Sequence, residues 1–158
     1  MALLKGTNSY ATVIEADAYF ADRLDVSAWT GADSTAKAQA LVTATSILDD
    51  LTWTGTAVTE SQPLAFPRSG EYFDPRVGAY VFMDGTVPSI IELAVKELAH
   101  HLLNNDGLMD DTGSVLNLQV GVINLSNVKS PNLVPGNVRR IIKPLLLNSG
   151  SRGWWRAN

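Results

Sequence analysis

Apolar residues recur at helical spacing in four stretches of this chain and lose that spacing between them. Thr12-Val13-Ile14-Glu15 has the spacing of a capping box. It predicts a helix to about Leu24, with Val13, Ala16, Phe20 and Leu24 near one face. Ser27 to Ala32 reads as a loop. Asp33 or Ser34 then caps a second helix running to about Leu51. Ala36, Ala40, Ala44, Ile47, Leu48 and Leu51 form its buried stripe, and the alanines permit close helix–helix approach. Pro88 opens a third helix at a position where its missing N–H costs little. Ile90, Ile91, Ala94, Leu98 and Leu102 carry it to about Leu103, where Asn104-Asn105-Asp106-Gly107 ends it. Pro135-Gly136-Asn137 starts a last helix with Val138, Ile141, Ile142 and Leu145 inward and Arg139, Arg140 and Lys143 outward. Pro144 is placed to kink it.

Two regions lack helical period. Residues 54–87 are punctuated by glycine and proline and read as an ordered loop region, with Tyr80-Val81-Phe82 as a short strand. Its aromatics, Phe66, Tyr72, Phe73, Tyr80 and Phe82, point to packing against the body or a neighbour. Residues 114–128 suggest two short strands in a hairpin or extended arm, with Gly121 among them. The fold class expected is therefore mainly α: a small bundle of about four helices over residues 1–147, with a hairpin at about 114–128. An extended tail follows over 148–158.

Composition narrows the function. A chain of 158 residues, 46% hydrophobic, fits one domain with a genuine core. No run approaches a membrane span, and the first six residues read as too short and polar for a signal peptide. There is no cysteine, which excludes disulfides, thiol catalysis and cysteine-based zinc sites. The net charge of −4 hides an asymmetry. All 16 acids lie within residues 1–111, against six bases there. Residues 112–158 hold no acid and six bases: Lys129, Arg139, Arg140, Lys143, Arg152 and Arg156. A basic end of this kind meets an acidic partner, either nucleic acid or an acidic protein surface, or else neutralises its own acidic body.

Catalytic patterns are missing. Glu97 and His100 have the spacing of half a di-metal carboxylate site, but the chain has only two histidines and no second such motif. His100 and His101 suit a helix C-terminus instead. Asp106, Asp110 and Asp111 lack the twelve-residue calcium pattern, and Ser69 has no histidine partner implied by the sequence. No glycine-rich phosphate loop occurs. A non-enzyme without cofactor or metal is expected. In Gln62-Pro63-Leu64-Ala65-Phe66-Pro67-Arg68-Ser69-Gly70, Leu64 and Phe66 read as folding back over the bundle. Arg68 on that rigid turn is suited to pair with a carboxylate of its own or the next subunit. In the tail, Arg152, Trp154, Trp155 and Arg156 are of the types enriched at binding hot spots. They also suit stacking on single-stranded bases with the arginines near phosphates.

Several of these segments together resemble the small head–tail connector (adaptor, or head-completion) proteins of tailed bacteriophages. They are Gly6-Thr7-Asn8-Ser9-Tyr10, Ala16-Asp17-Ala18-Tyr19-Phe20, Trp29, Ala44-Thr45-Ser46-Ile47-Leu48-Asp49 with Trp53, and Leu64-Ala65-Phe66-Pro67-Arg68. The helix from Pro135 to Leu147 is similar too, so the likeness covers about residues 6–147. Sequences of that type are sometimes labelled DnaT-like single-stranded-DNA-binding proteins. The resemblance implies a virion protein of the neck, made in the host bacterial cytoplasm. It implies a homo-oligomeric ring, typically of twelve subunits, between the portal protein and the tail or tail-terminator proteins. DNA would pass through without specific binding, and no membrane is involved. Arg152, Trp154, Trp155, Arg156, Arg139, Arg140, Lys143 and Arg68 are then the candidates for touching the portal or a neighbouring subunit. The rival reading is a single-stranded-DNA-binding replication accessory protein.

Overall fold

A computed structural model describes residues 2–105, 118–120, 123–125 and 134–147. Helix α1 (Val13–Ala21) begins with the expected capping box: Thr12 Oγ1 accepts from Glu15 N, and the Glu15 carboxylate accepts from Thr12 N at 2.8 Å. The helix stops three residues short of Leu24. Asp22 ends it, Asp25 takes a positive φ of 58°, and Leu24 is 95% exposed rather than in the core. The stretch expected to be a loop contains a short helix, α2 (Ser27–Thr30), which plants Trp29 in the core against Phe20.

Helix α3 (Ser34–Asp49) is capped by Asp33, whose carboxylate accepts from Ala36 N at 2.7 Å. Ala40, Leu41, Ala44, Thr45, Ile47 and Leu48 are buried, whereas Ala36 and Leu51 are only half-buried. Helix α4 (Ser89–Asn104) follows Pro88 as predicted and packs along α3. Alanines on both, Ala40 and Ala44 on one and Ala94 and Ala99 on the other, are buried with little bulk between the backbones. Helix α5 (Gly136–Ile142) closes the bundle over α4 with Val138 and Ile142 buried. At Pro144 the helix tightens into a 3-10 turn (Lys143–Leu145) rather than kinking onward.

Residues 54–87 depart most from expectation. They form a three-stranded antiparallel sheet, β1 (Thr56–Ala57), β2 (Arg68–Asp74) and β3 (Ala79–Asp84), in the order β1-β2-β3. The architecture is therefore mixed α/β, not the mainly α bundle expected. The β2–β3 turn has Pro75 at its first position and Gly78 at its last, with φ of +71°. The Asp74 carbonyl accepts from both Val77 N and Gly78 N. Register pairs Phe73 with Tyr80, Glu71 with Phe82 and Ser69 with Asp84. Tyr72, Asp74 and Met83 face the core beside the 3-10 turn. The expected hairpin further on has paired strands β4 (Leu118–Val120) and β5 (Ile123–Leu125). The rest of that arm lies outside the described residues, as does the tail over 148–158.

Leu64 and Phe66 are buried, and Phe66 packs edge-on against both Tyr10 and Trp53. Tyr10 ties three segments together. Its hydroxyl donates to the Asp49 carboxylate and accepts from Phe66 N at 3.0 Å. Burial and that carboxylate push its pKa far upward. After the 3-10 turn the chain runs back beside residues 52–54, with Thr54 N donating to Leu145 O and Leu147 N to Thr52 O. Residues 148–158 thus depart from an anchored point next to Trp53.

Candidate functional site

Cations decide where an acidic partner can dock, and the body has committed its own. Lys5 bridges Glu15 at 2.6 Å and Glu92 at 2.8 Å. Burial opposes the ionised form of Glu15, but the Lys5 ammonium and the Thr12 donors outweigh it and bring the pKa to about 2. Arg23 pairs with Glu97 at 3.0 Å and lies over the Tyr19 ring. Lys37 pairs with Asp17 at 2.9 Å over the Trp29 ring, and its hydrogen bond holds the Asp17 carboxyl below the usual range. The Trp29 indole donates to that same Asp17 oxygen at 2.8 Å. Lys96 sits over Tyr19, whose hydroxyl donates to Glu97. Burial, then that carboxylate, pushes the Tyr19 pKa up to about 12.

Arg68 does not meet a carboxylate among the described residues. Its guanidinium lies in a cradle of backbone carbonyls, donating to Thr54 O at 2.8 Å, Gly55 O at 2.6 Å and Ala65 O at 3.3 Å. It thereby ties β2 to the segment before β1. Arg76, at the hairpin tip, is bound by Asp74 through two donors at 2.8 and 3.2 Å. All six cations of residues 2–105 are therefore engaged within the fold, and 13 carboxylates accompany them.

Helix α5 is different. Its buried edge fixes the outward direction of the other, and Arg139, Arg140 and Lys143 are exposed. Among the described residues, neither Arg140 nor Lys143 has an ion pair. Arg140 shares a cleft of about 290 Å³ with Arg76, lined also by Ile90, Leu93 and Ile141. Arg152, Trp154, Trp155 and Arg156 lie outside the described residues, so the structure brings together the α5 cations and no others of the predicted set.

The aromatics expected to pack against the body or a neighbour divide: Phe66 and Tyr72 are buried, and the other three stand on a sheet that the sequence reading did not foresee. The outer face of the hairpin carries Phe73, Tyr80 and Phe82, which are 46%, 66% and 78% exposed. Phe73 and Tyr80 stack edge-on across the strands at 5.6 Å. Glu71 and Asp84 stand on the same face by register, with no base among its described residues. Thr86 holds Asp84 through two donors, which lowers its pKa. The missed signal was the pair of β-prone runs, 71–74 and 79–84, set about a Pro-to-Gly turn.

Among the described residues, no group of three or more His, Asp or Glu side chains is placed to hold a metal, and no helix is long and apolar enough to cross a membrane. Comparison with curated proteins and with solved structures finds no match. One family model matches residues 2–157, and the chain belongs to that family, described as "Putative DnaT-like ssDNA binding protein".

Proposed function

We propose that this chain is a non-catalytic single-stranded-DNA-binding protein whose contact element is its basic C-terminal third. Membership in the family supports this reading over the connector reading. The observation that carries it is the segregation of cations. The body's six are engaged internally, while Arg140 on α5 and Lys143 just after it are exposed and without an ion pair among the described residues. The sequence then adds Arg152, Trp154, Trp155 and Arg156, ten to fourteen residues beyond the end of α5. Arginines neutralise phosphates, and indoles stack on unpaired bases, each stack contributing roughly 1–3 kcal/mol. A short base-and-aromatic element on an acidic body favours a flexible single strand, whose bases are open to stacking, over a duplex.

Fluorescence anisotropy of a labelled dT oligonucleotide and of a duplex of equal length tests this. The full chain is expected to bind the single strand more tightly. Trp154→Ala and Trp155→Ala should each weaken it by roughly 5- to 100-fold, as the loss of one stacked base implies. Equal affinity for both probes, or no effect of the tryptophan changes, sinks the reading.

A second reading is favoured by a separate observation, the exposed aromatic face set in an acidic body. A head–tail connector needs recurring protein–protein surfaces around a ring, and an acidic body would not hold DNA passing through it. In that reading the chain is a neck protein of the virion, in a ring of about twelve as the resemblance implies, touching portal and tail proteins. Mass spectrometry of purified phage particles decides it. A copy ratio to portal near one supports the ring, and absence from particles removes it.

A further inference from the structure

An aromatic sheet face with carboxylates at one end is poorly suited to phosphate and well suited to a segment that is itself aromatic and basic. We infer that the outer face of β2–β3 docks residues 152–156 of a second copy of this chain. Phe73, Tyr80 and Phe82 form an apolar strip across both strands, exposed among the described residues. Glu71 and Asp84 lie on the same face. The segment Arg152-Gly153-Trp154-Trp155-Arg156 offers two indoles between two guanidiniums. By register Glu71 stands beside Phe82 and Asp84 one row further from Phe73 and Tyr80, so the indoles cover the aromatic end of the strip and the guanidiniums meet its acidic end. Aromatic and arginine anchors in such a setting are the usual carriers of interface affinity.

Residue 147 is held against Thr52, and Arg152 follows five residues later, a link of at most about 18 Å when extended. Because the donor segment and the acceptor face are different surfaces of the chain, the contact is head-to-tail, and repetition gives a closed ring or an open filament. The same residues are proposed above to hold single-stranded DNA, so docking and DNA binding compete for one segment. The docking face itself does not depend on that reading.

Sedimentation velocity on the full chain tests the contact. Wild type should associate with rising concentration. The exposed double changes Glu71→Arg/Asp84→Arg and Arg152→Glu/Arg156→Glu should each weaken association about tenfold or more, and the two together should restore it. A labelled peptide of residues 149–158 should bind wild type and fail on Glu71→Arg/Asp84→Arg. Anisotropy with dT keeps the two readings apart when read at a protein concentration below association on Glu71→Gln/Asp84→Asn, which should weaken docking while adding no cation and leaving the DNA-contacting residues intact. A chain that stays monomeric throughout, or association indifferent to both charge reversals, overturns the inference. So does loss of dT binding on Tyr80→Ala/Phe82→Ala, which would make the face a nucleic-acid platform.

Discussion

Arg68 shows how one side chain can look like a contact residue and act as a fastener. Its planar fork meets four carbonyls, those of Trp53, Thr54, Gly55 and Ala65, a role a lysine cannot copy. Arg68→Ala leaves those carbonyls without their donor and should cost about 1–3 kcal/mol of stability in a urea melt. Arg68→Lys should recover little of it. If both variants melt within about 0.5 kcal/mol of wild type, the cradle is not structural. The sequence could announce that Arg68 sits on a rigid turn, because Pro67 precedes it. It could not announce the partners, since backbone carbonyls carry no residue identity. Leu24 fails for a related reason. Its spacing matches the α1 core face, but the helix has already ended at Ala21.

At the scale of elements, the helices were legible because their ends are written in the chain. Thr12 with Glu15, Asp33, Pro88 and Pro135 mark the starts, and all four lie at observed boundaries. Of the sheet only Tyr80-Val81-Phe82, within β3, was legible, because aromatics stand on both faces of the hairpin. Phe73, Tyr80 and Phe82 are exposed while Tyr72 and Met83 are buried, so no polar alternation appears. Gly70 in β2 lies in close approach to Gly55. It has φ of +132°, and an added Cβ would stand 3.0 Å from Gly55 Cα. Gly70→Ala should therefore cost about 1–3 kcal/mol from backbone strain, with further loss from pushing β1 away. Gly78→Ala, at a positive φ in open space, should cost about 1 kcal/mol at most. Thermal melts showing equal costs would mean that the Gly55–Gly70 approach does not hold the sheet.

At the scale of the whole molecule, charge is sorted along the chain and the fold preserves the sorting. The asymmetry was visible in the sequence; that every body cation is already committed was not, because the pairings join residues far apart, such as Arg23 with Glu97 and Lys5 with Glu92. Family membership then supports a reading of Arg140 and Lys143 as phosphate contacts. The most direct measurement is the salt dependence of affinity for a labelled dT oligonucleotide, read for wild type, Arg140→Gln/Lys143→Gln and Lys37→Gln/Lys96→Gln. Each phosphate neutralised on a single strand contributes about −0.7 to the log–log slope. The Arg140/Lys143 pair should flatten the slope by about 1.4 and the body pair should leave it unchanged. An equal flattening by the body pair, or no measurable binding by the wild-type chain, contradicts that reading.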